Sequence, residues 1–243
     1  MDPVLFDKIQ VSQRKKIDKA IKSIQGLEGY WPLNETSGLT AFNQAPRTKG
    51  TNNGTNDQGT LVGQPGHKGK AFVFDGVNDR LGMGSICNYT DKVTLFGVFK
   101  IIGDANIGNF PPIWGKGAFS SYFLLFGNTR RPYMSIWDDV SEKGTNHTLQ
   151  HQWELGKWYL LVGSYDKNAG ANNISCYTYG QNVEKKVSNT ITATMATNGL
   201  TLNVAYEQVR GYVMNIAAQH CGIVNRQMSD QEIRKLANVL GFL

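Results

Sequence analysis

Tyr133, Ser135 and Trp137 alternate along one short apolar run. In an extended chain side chains repeat every two residues, so all three fall on one face. Asn128, Arg130, Arg131, Asp138 and Asp139 flank them. Aromatic rings can take the apolar face of a sugar while amides, guanidinium groups and carboxylates take its hydroxyls. The candidate ligand-binding residues are therefore Tyr133, Trp137, Asn128, Arg130, Arg131 and Asp138. The alternative arrangement puts Trp137 in the core and turns Met134 and Ile136 toward a second layer. Tyr177 and Tyr179 form a second aromatic pair, expected to be exposed opposite Ile174 and Cys176.

Catalytic patterns are missing. Glycoside hydrolysis of the retaining kind needs two carboxylates about 5 Å apart. Glu28, Glu35, Glu142, Glu154, Glu184, Glu207 and Glu232 stand isolated or in turns, and Asp138-Asp139 would point to opposite faces of a strand. There is no GxSxG, and His67, His147, His151 and His220 have no recognisable partner spacing. His147 and His151, near Trp153 on a loop or edge strand, read as ordinary surface residues, with a place in the lining of a binding site as the alternative. No catalytic residue is assigned, and the chain is expected not to be an enzyme. Asp75, Asn78 and Asp79 are hard oxygen donors around a turn, with Asp138, Asp139 and Asp166 as further donors. The same residue types also make good turns by themselves. No cofactor is required.

These residues must be held by a chain of 243 residues that is 40% apolar and 11% aromatic, enough for a substantial core. Its longest apolar stretches, such as Val93–Phe99, fall far short of the roughly 18 residues that cross a bilayer. No membrane insertion is expected. Cys87, Cys176 and Cys221 are widely spaced and read as small buried apolar residues. Of the net charge of +6, half lies in residues 1–25, where six Lys/Arg oppose three Asp. Cations spread along a helix in this way are a solvated face, and no nucleic-acid motif accompanies them. The start of the chain lacks the basic-then-apolar pattern of a secretory signal.

Leu5, Ile9, Ile17, Ile21 and Ile24 form one stripe, which predicts a helix over residues 3–25 ended by Gly26. From Gly29 to Val224 short alternating runs replace the helical period, punctuated by Asn53-Gly54, Pro65-Gly66, Asp75-Gly76 and Asn198-Gly199. This predicts an all-β, two-sheet antiparallel jelly-roll sandwich of about ten to twelve strands. Val93–Ile102 is apolar on both alternate sets, as a central strand covered on both faces must be. Gly211–Ile216 and Cys221–Val224 read as two further strands. Asn43–Gln64 reads as an exposed polar loop. Ser229-Asp230-Gln231-Glu232 is a capping box, and Ile233, Leu236, Ala237 and Leu240 line a short closing helix.

Several segments resemble the laminin-G-like, concanavalin A-like lectin/glucanase domain. They are Gly29–Gly38 (GYWPLNETSG), Gly59–Leu61, Gly69–Asp79 (GKAFVFDGVND), Ile113–Gly117, Leu155–Asp166 with its W-Y…G-x-Y-D spacing, and Val224–Ile233. The resemblance spans about residues 27–240 and implies a jelly roll used for adhesion, glycan binding, enzyme accessory modules or viral surface proteins. Some domains of this fold hold calcium on their loops, so it also implies an optional calcium site at Asp75, Asn78 and Asp79, which lie on the matching turn. Related glucanases are similar in carrying two Glu on one strand as E-x-D-x-x-E or E-x-D-x-E, a pattern not found here. Two parts follow: an amphipathic helical arm, 1–26, for docking or oligomerisation, and a laminin-G-like jelly roll, 27–243.

The expected function is non-catalytic surface binding and assembly. A virion structural protein, of capsid-decoration, fibre or tail type, would hold glycans or neighbouring proteins and form a homo-oligomer or larger assembly through residues 1–25. Its place would be a virion surface or another outward-facing assembly, with a cytoplasmic location as the alternative. A carbohydrate-active enzyme or its accessory carbohydrate-binding module is one rival reading, and a purely structural interaction protein is another.

Overall fold

The computed structural model describes residues 3–57, 59–104, 109–116, 121–127, 129–138, 141–196, 199–206 and 211–243, with side chains from residue 11 onward except that of Asp57. Helix α1 (Pro3–Lys22) leads into β1 (Leu27–Trp31), β2 (Thr40–Ala41), β3 (Gly54–Asp57), β4 (Leu61–Pro65), β5 (Lys70–Asp75) and β6 (Arg80–Gly82). Then come β7 (Lys92–Ile101), β8 (Pro112–Lys116), β9 (Tyr122–Phe126), β10 (Pro132–Trp137), β11 (Glu142–Gly144) and β12 (Trp158–Asp166). The chain closes with β13 (Ile174–Gly180), β14 (Val183–Asn189), β15 (Leu202–Val204), β16 (Asn215–Val224) and α2 (Asp230–Leu240).

The strands form two antiparallel sheets. The first runs β14-β13-β12-β7-β16-β5-β4, with β1 also on β16; the second runs β11-β10-β9-β8-β15-β6-β3-β2. Apolar side chains from the inner faces fill the space between them, among them Trp31, Phe72, Leu95, Phe99, Trp114, Leu124, Met134 and Ile216. Trp31 meets Trp114 edge-on with ring centres 5.8 Å apart, an arrangement favoured by the ring quadrupoles. As its double apolar pattern requires, β7 lies between β12 and β16 and is buried along nearly its whole length.

Both α-helices cover the outer face of the first sheet. Phe96, Val98, Leu160, Val162, Tyr177 and Tyr179 of the first sheet pack against Ile17 and Ile21 of α1 and Ile233, Leu236 and Leu240 of α2. The second half of α1 is thus part of the domain: Lys22 Nζ reaches Gln44 (2.7 Å), and the Tyr30 hydroxyl donates to Asp18 (2.7 Å). Residues 11–16 are mostly exposed. Gly26 ends the helix in the left-handed region at φ +77°, where a side chain would be strained. At α2 the Ser229–Glu232 capping box forms on both sides, and Gly241 closes the helix at φ +82°.

Three expectations are corrected. Residues 43–64 are not simply an exposed loop, since they contain β3 and the start of β4. Asn43 is buried there and substitutes for an apolar core: its Oδ1 accepts from Tyr30 and Ala45 N–H, and its Nδ2 donates to Thr48 and Thr51. Tyr177 and Tyr179, expected to be exposed, are each 4% exposed because α2 lies over them; the Tyr177 hydroxyl donates to Asp230 (2.6 Å). Of the two strands anticipated over 211–216 and 221–224, residues 215–216 and 221–224 belong to one strand, β16, whose pairing with β7 shifts register between Gln219 and Gly222, while residues 211–214 precede it. Its far-side neighbour changes there from β5 to β1. The buried polar Gln219 and His220 at the change broke the apolar pattern. Gln219 is fully used: it accepts from His67 and Lys68 N–H and donates to the Lys68 and Lys70 carbonyls.

Candidate functional site

Among the described residues no α-helix covers the outer face of the second sheet, and the aromatic part of the predicted site lies on it. Tyr133, Ser135 and Trp137 share that face, while Met134 and Ile136 point into the core, so the arrangement with Trp137 in the core is not the one adopted. Tyr133 packs with Phe123 and Leu125 and is only 5% exposed, and Trp137 is half-buried against them. The Tyr133 and Ser135 hydroxyls both donate to Glu142 Oε1 (2.9 and 2.7 Å), which fixes that carboxylate over β10. Phe110 and His147 close the patch, their ring centres 6.2 and 5.5 Å from that of Tyr133.

The flanking polar residues are already engaged. Arg131 donates to the Thr148 and Gln150 carbonyls (3.1 and 2.6 Å) and thereby holds the short turn that carries His147. Arg130 pairs with Asp104 (3.4 Å), and Asp138 pairs with Lys143 (2.6 Å). Asn128 and Asp139 lie outside the described residues. Asp75 forms a turn on itself, its Oδ1 accepting from Val77 and Asn78 N–H, and Asp79 Oδ2 accepts from Asp75 N–H. Asp166 likewise accepts from Asn168 N–H. Among the described residues no three His, Cys, Asp or Glu side chains gather where they could hold a metal.

Strand register builds a second part of this face that sequence reasoning missed. Thr55, Gly82, Asn203, Gly115, Phe123, Ser135 and Gly144 are successive cross-strand partners from β3 to β11. Paired residues project to the same side, so this row crosses the outer face. Asn203 stands between two glycines, and a Cβ at Gly82 would lie 3.2 Å from Thr201 Cγ2 and 3.3 Å from Asn203 Oδ1. The result is a cleft of about 290 Å³ floored by Gly82 and Asn203 and walled by Thr55, Arg80, Thr201 and Tyr206. The Arg80 guanidinium lies 5.1 Å from the centre of the Tyr206 ring, a cation–π contact that holds both side chains at the rim. Asn203 Nδ2 donates to the Thr201 carbonyl (2.9 Å), which sets the orientation of the amide. No motif announces this cleft, because its residues come from three short strands far apart in the chain.

No family model matches the chain, and no curated protein matches it. Solved structures do. A sialidase from Trypanosoma rangeli, in complex with sialic acid, superposes with a TM-score of 0.59 at 16% identity over 98% of this chain and 39% of its own. Domain 4 of AbnA, a GH43 extracellular arabinanase from Geobacillus stearothermophilus in complex with arabinotriose, superposes with a TM-score of 0.61 at 14% identity, covering 87% of this chain and 98% of that domain. The likeness is one of fold. This chain spans about two fifths of the sialidase's length but nearly the whole of the arabinanase domain.

Proposed function

We propose that the chain is a non-catalytic, saccharide-binding sandwich of the laminin-G-like, concanavalin A-like kind, and that the open face of its second sheet receives the ligand. The carrying observation is the cleft in which Gly82 and Gly84 leave the sheet open beside the Asn203 amide, between Arg80 and Tyr206. The missing side chains at Gly82 and Gly84 let a sugar ring approach the sheet, an amide and hydroxyls pair with its hydroxyl groups, and an aromatic rim covers its C–H face. Two neighbours of the fold, one holding sialic acid and one arabinotriose, support this ligand class. The face's engaged carboxylates support recognition over hydrolysis: Glu142 already accepts two hydroxyls and Asp138 is paired with lysine. A glycan array followed by calorimetry tests the reading. Arg80→Ala and Asn203→Ala should each weaken binding by about tenfold or more, with no reducing ends released from the ligand. Unchanged affinity in both variants would refute it.

The narrower role, a structural protein of a virion or other outward-facing assembly, draws support from α1. Its residues 11–16 stand clear of the domain, and Val11 is 52% exposed. A helix end presenting both apolar and basic side chains can dock on a neighbouring protein.

A further inference from the structure

A larger cleft, about 780 Å³, opens where the start of β12, the β13–β14 turn and the residues after α2 converge. This lies within the range of small-molecule sites. One wall is aromatic: the His67 ring stacks on Phe242 with centres 4.4 Å apart and planes 11° apart, and Trp158 stands 6.4 Å from His67. Lys100 Nζ, 5.1 Å from the centre of the Trp158 ring, pins the indole by a cation–π contact. The opposite wall carries Glu154, Gln181 and Asn182, all exposed, on a turn and a hairpin tip.

The hydrogen bonding of His67 sharpens the chemistry. Its Nε2 lies 2.9 Å from the Leu240 carbonyl, an acceptor, so Nε2 carries the hydrogen and Nδ1 is the acceptor of the neutral ring. Burial pushes the His67 pKa below its ordinary value, keeping the ring neutral near pH 7. The cleft therefore combines an aromatic wall with an imidazole acceptor, a carboxylate, two amides and the Lys157 ammonium. That set of donors and acceptors matches vicinal hydroxyls beside an apolar ring face, whereas a purely apolar ligand would strip water from five polar groups without return.

We propose that this end cleft is a second saccharide subsite, separate from the open face, that takes a short oligosaccharide against Trp158, Phe242 and His67. The choice of ligand class rests on the reading of the chain as a saccharide-binding module; the site itself rests on the cleft. The test is calorimetry with arabinotriose, cellotriose and 3′-sialyllactose on the full chain, alongside NMR of the tryptophan indole N–H signals. The expected result is two sites per chain for at least one probe. Trp158→Ala should weaken one of them by about tenfold, and so should Gln181→Ala, which alters only an exposed turn and cannot unfold the domain. Arg80→Ala should leave that site intact. If both cleft variants keep the wild-type site number and affinity, or if no probe binds the wild-type chain, the subsite is overturned. If the cleft variants lose a site while Arg80→Ala and Asn203→Ala lose nothing, the subsite stands and the open-face reading falls.

Discussion

Gly82 shows how little separates a trough from a filled surface. A Cβ at this position would sit slightly tighter than ordinary contact with Thr201 and Asn203, and the backbone there is extended. Gly82→Val should abolish ligand binding at the open face while changing unfolding free energy by no more than about 1 kcal/mol; calorimetry beside urea melts separates the two effects. His220 offers a different residue-scale expectation. Its ring is buried, its Nδ1 lies 2.7 Å from the Tyr30 hydroxyl, and burial lowers its pKa from 6.5 to about 3. Since Tyr30 gives its hydrogen to Asp18, His220 Nδ1 must donate, and the ring is held neutral. Between pH 6.5 and 3 the unfolded chain binds a proton that the folded chain refuses, so stability should fall as pH drops through that window. His220→Asn tolerates the left-handed backbone at φ +53° and should flatten the loss between pH 6.5 and 5 in denaturant titrations. Glu232 acts lower on the scale: hydrogen bonds from Arg226 bring its pKa from 4.5 to about 2, so its stabilising share is present above 4.5 and lost only as pH falls toward 2. At this scale the alternation of Tyr133, Ser135 and Trp137 was readable because period two is local. The Arg80–Asn203–Tyr206 cleft was not, because it exists only once β3, β6 and β15 have chosen their register.

Among the elements, the most predictable were those whose signal lies within their own residues. β7 announced itself by being apolar on both sets, and α2 by its capping box and glycine stop. Ser229→Ala should therefore cost about 1 kcal/mol in thermal or chemical melts. α1 was legible as a helix but not in its partner, because an apolar stripe says that something covers it and not what. With Ile21 fully buried against the first sheet and α2, Ile21→Ala should destabilise the domain by about 2–5 kcal/mol. A helix that served only as a detachable arm would show almost no change. Polar residues misled wherever side-chain hydrogen bonds took over the work of apolar packing, at Asn43 in the 43–64 segment and at Gln219 in β16.

For the whole molecule, the two outer faces have divided labour. One is covered by α1 and α2 and the other carries the open cleft; because α1 packs through Ile17 and Ile21 while residues 11–16 are mostly exposed, its two halves should respond differently to truncation. Removing residues 1–12 should leave circular dichroism and unfolding midpoint nearly unchanged while abolishing any self-association detected by ultracentrifugation. Removing residues 1–25 should expose Leu27, Tyr30 and Phe96 and yield an aggregating or unfolded chain. The position of β16 carries a further consequence. It is flanked by β7 on one side and by β5 and then β1 on the other, so three strands from the first half of the chain are joined through one that comes near its end. During synthesis β1, β5 and β7 emerge early but have no shared neighbour until residue 224 has left the ribosome, and their apolar faces must wait in the open. Nascent chains stalled before Asn215 should remain protease-sensitive and need a chaperone's shelter, whereas those stalled well past Leu240 should abruptly resist digestion.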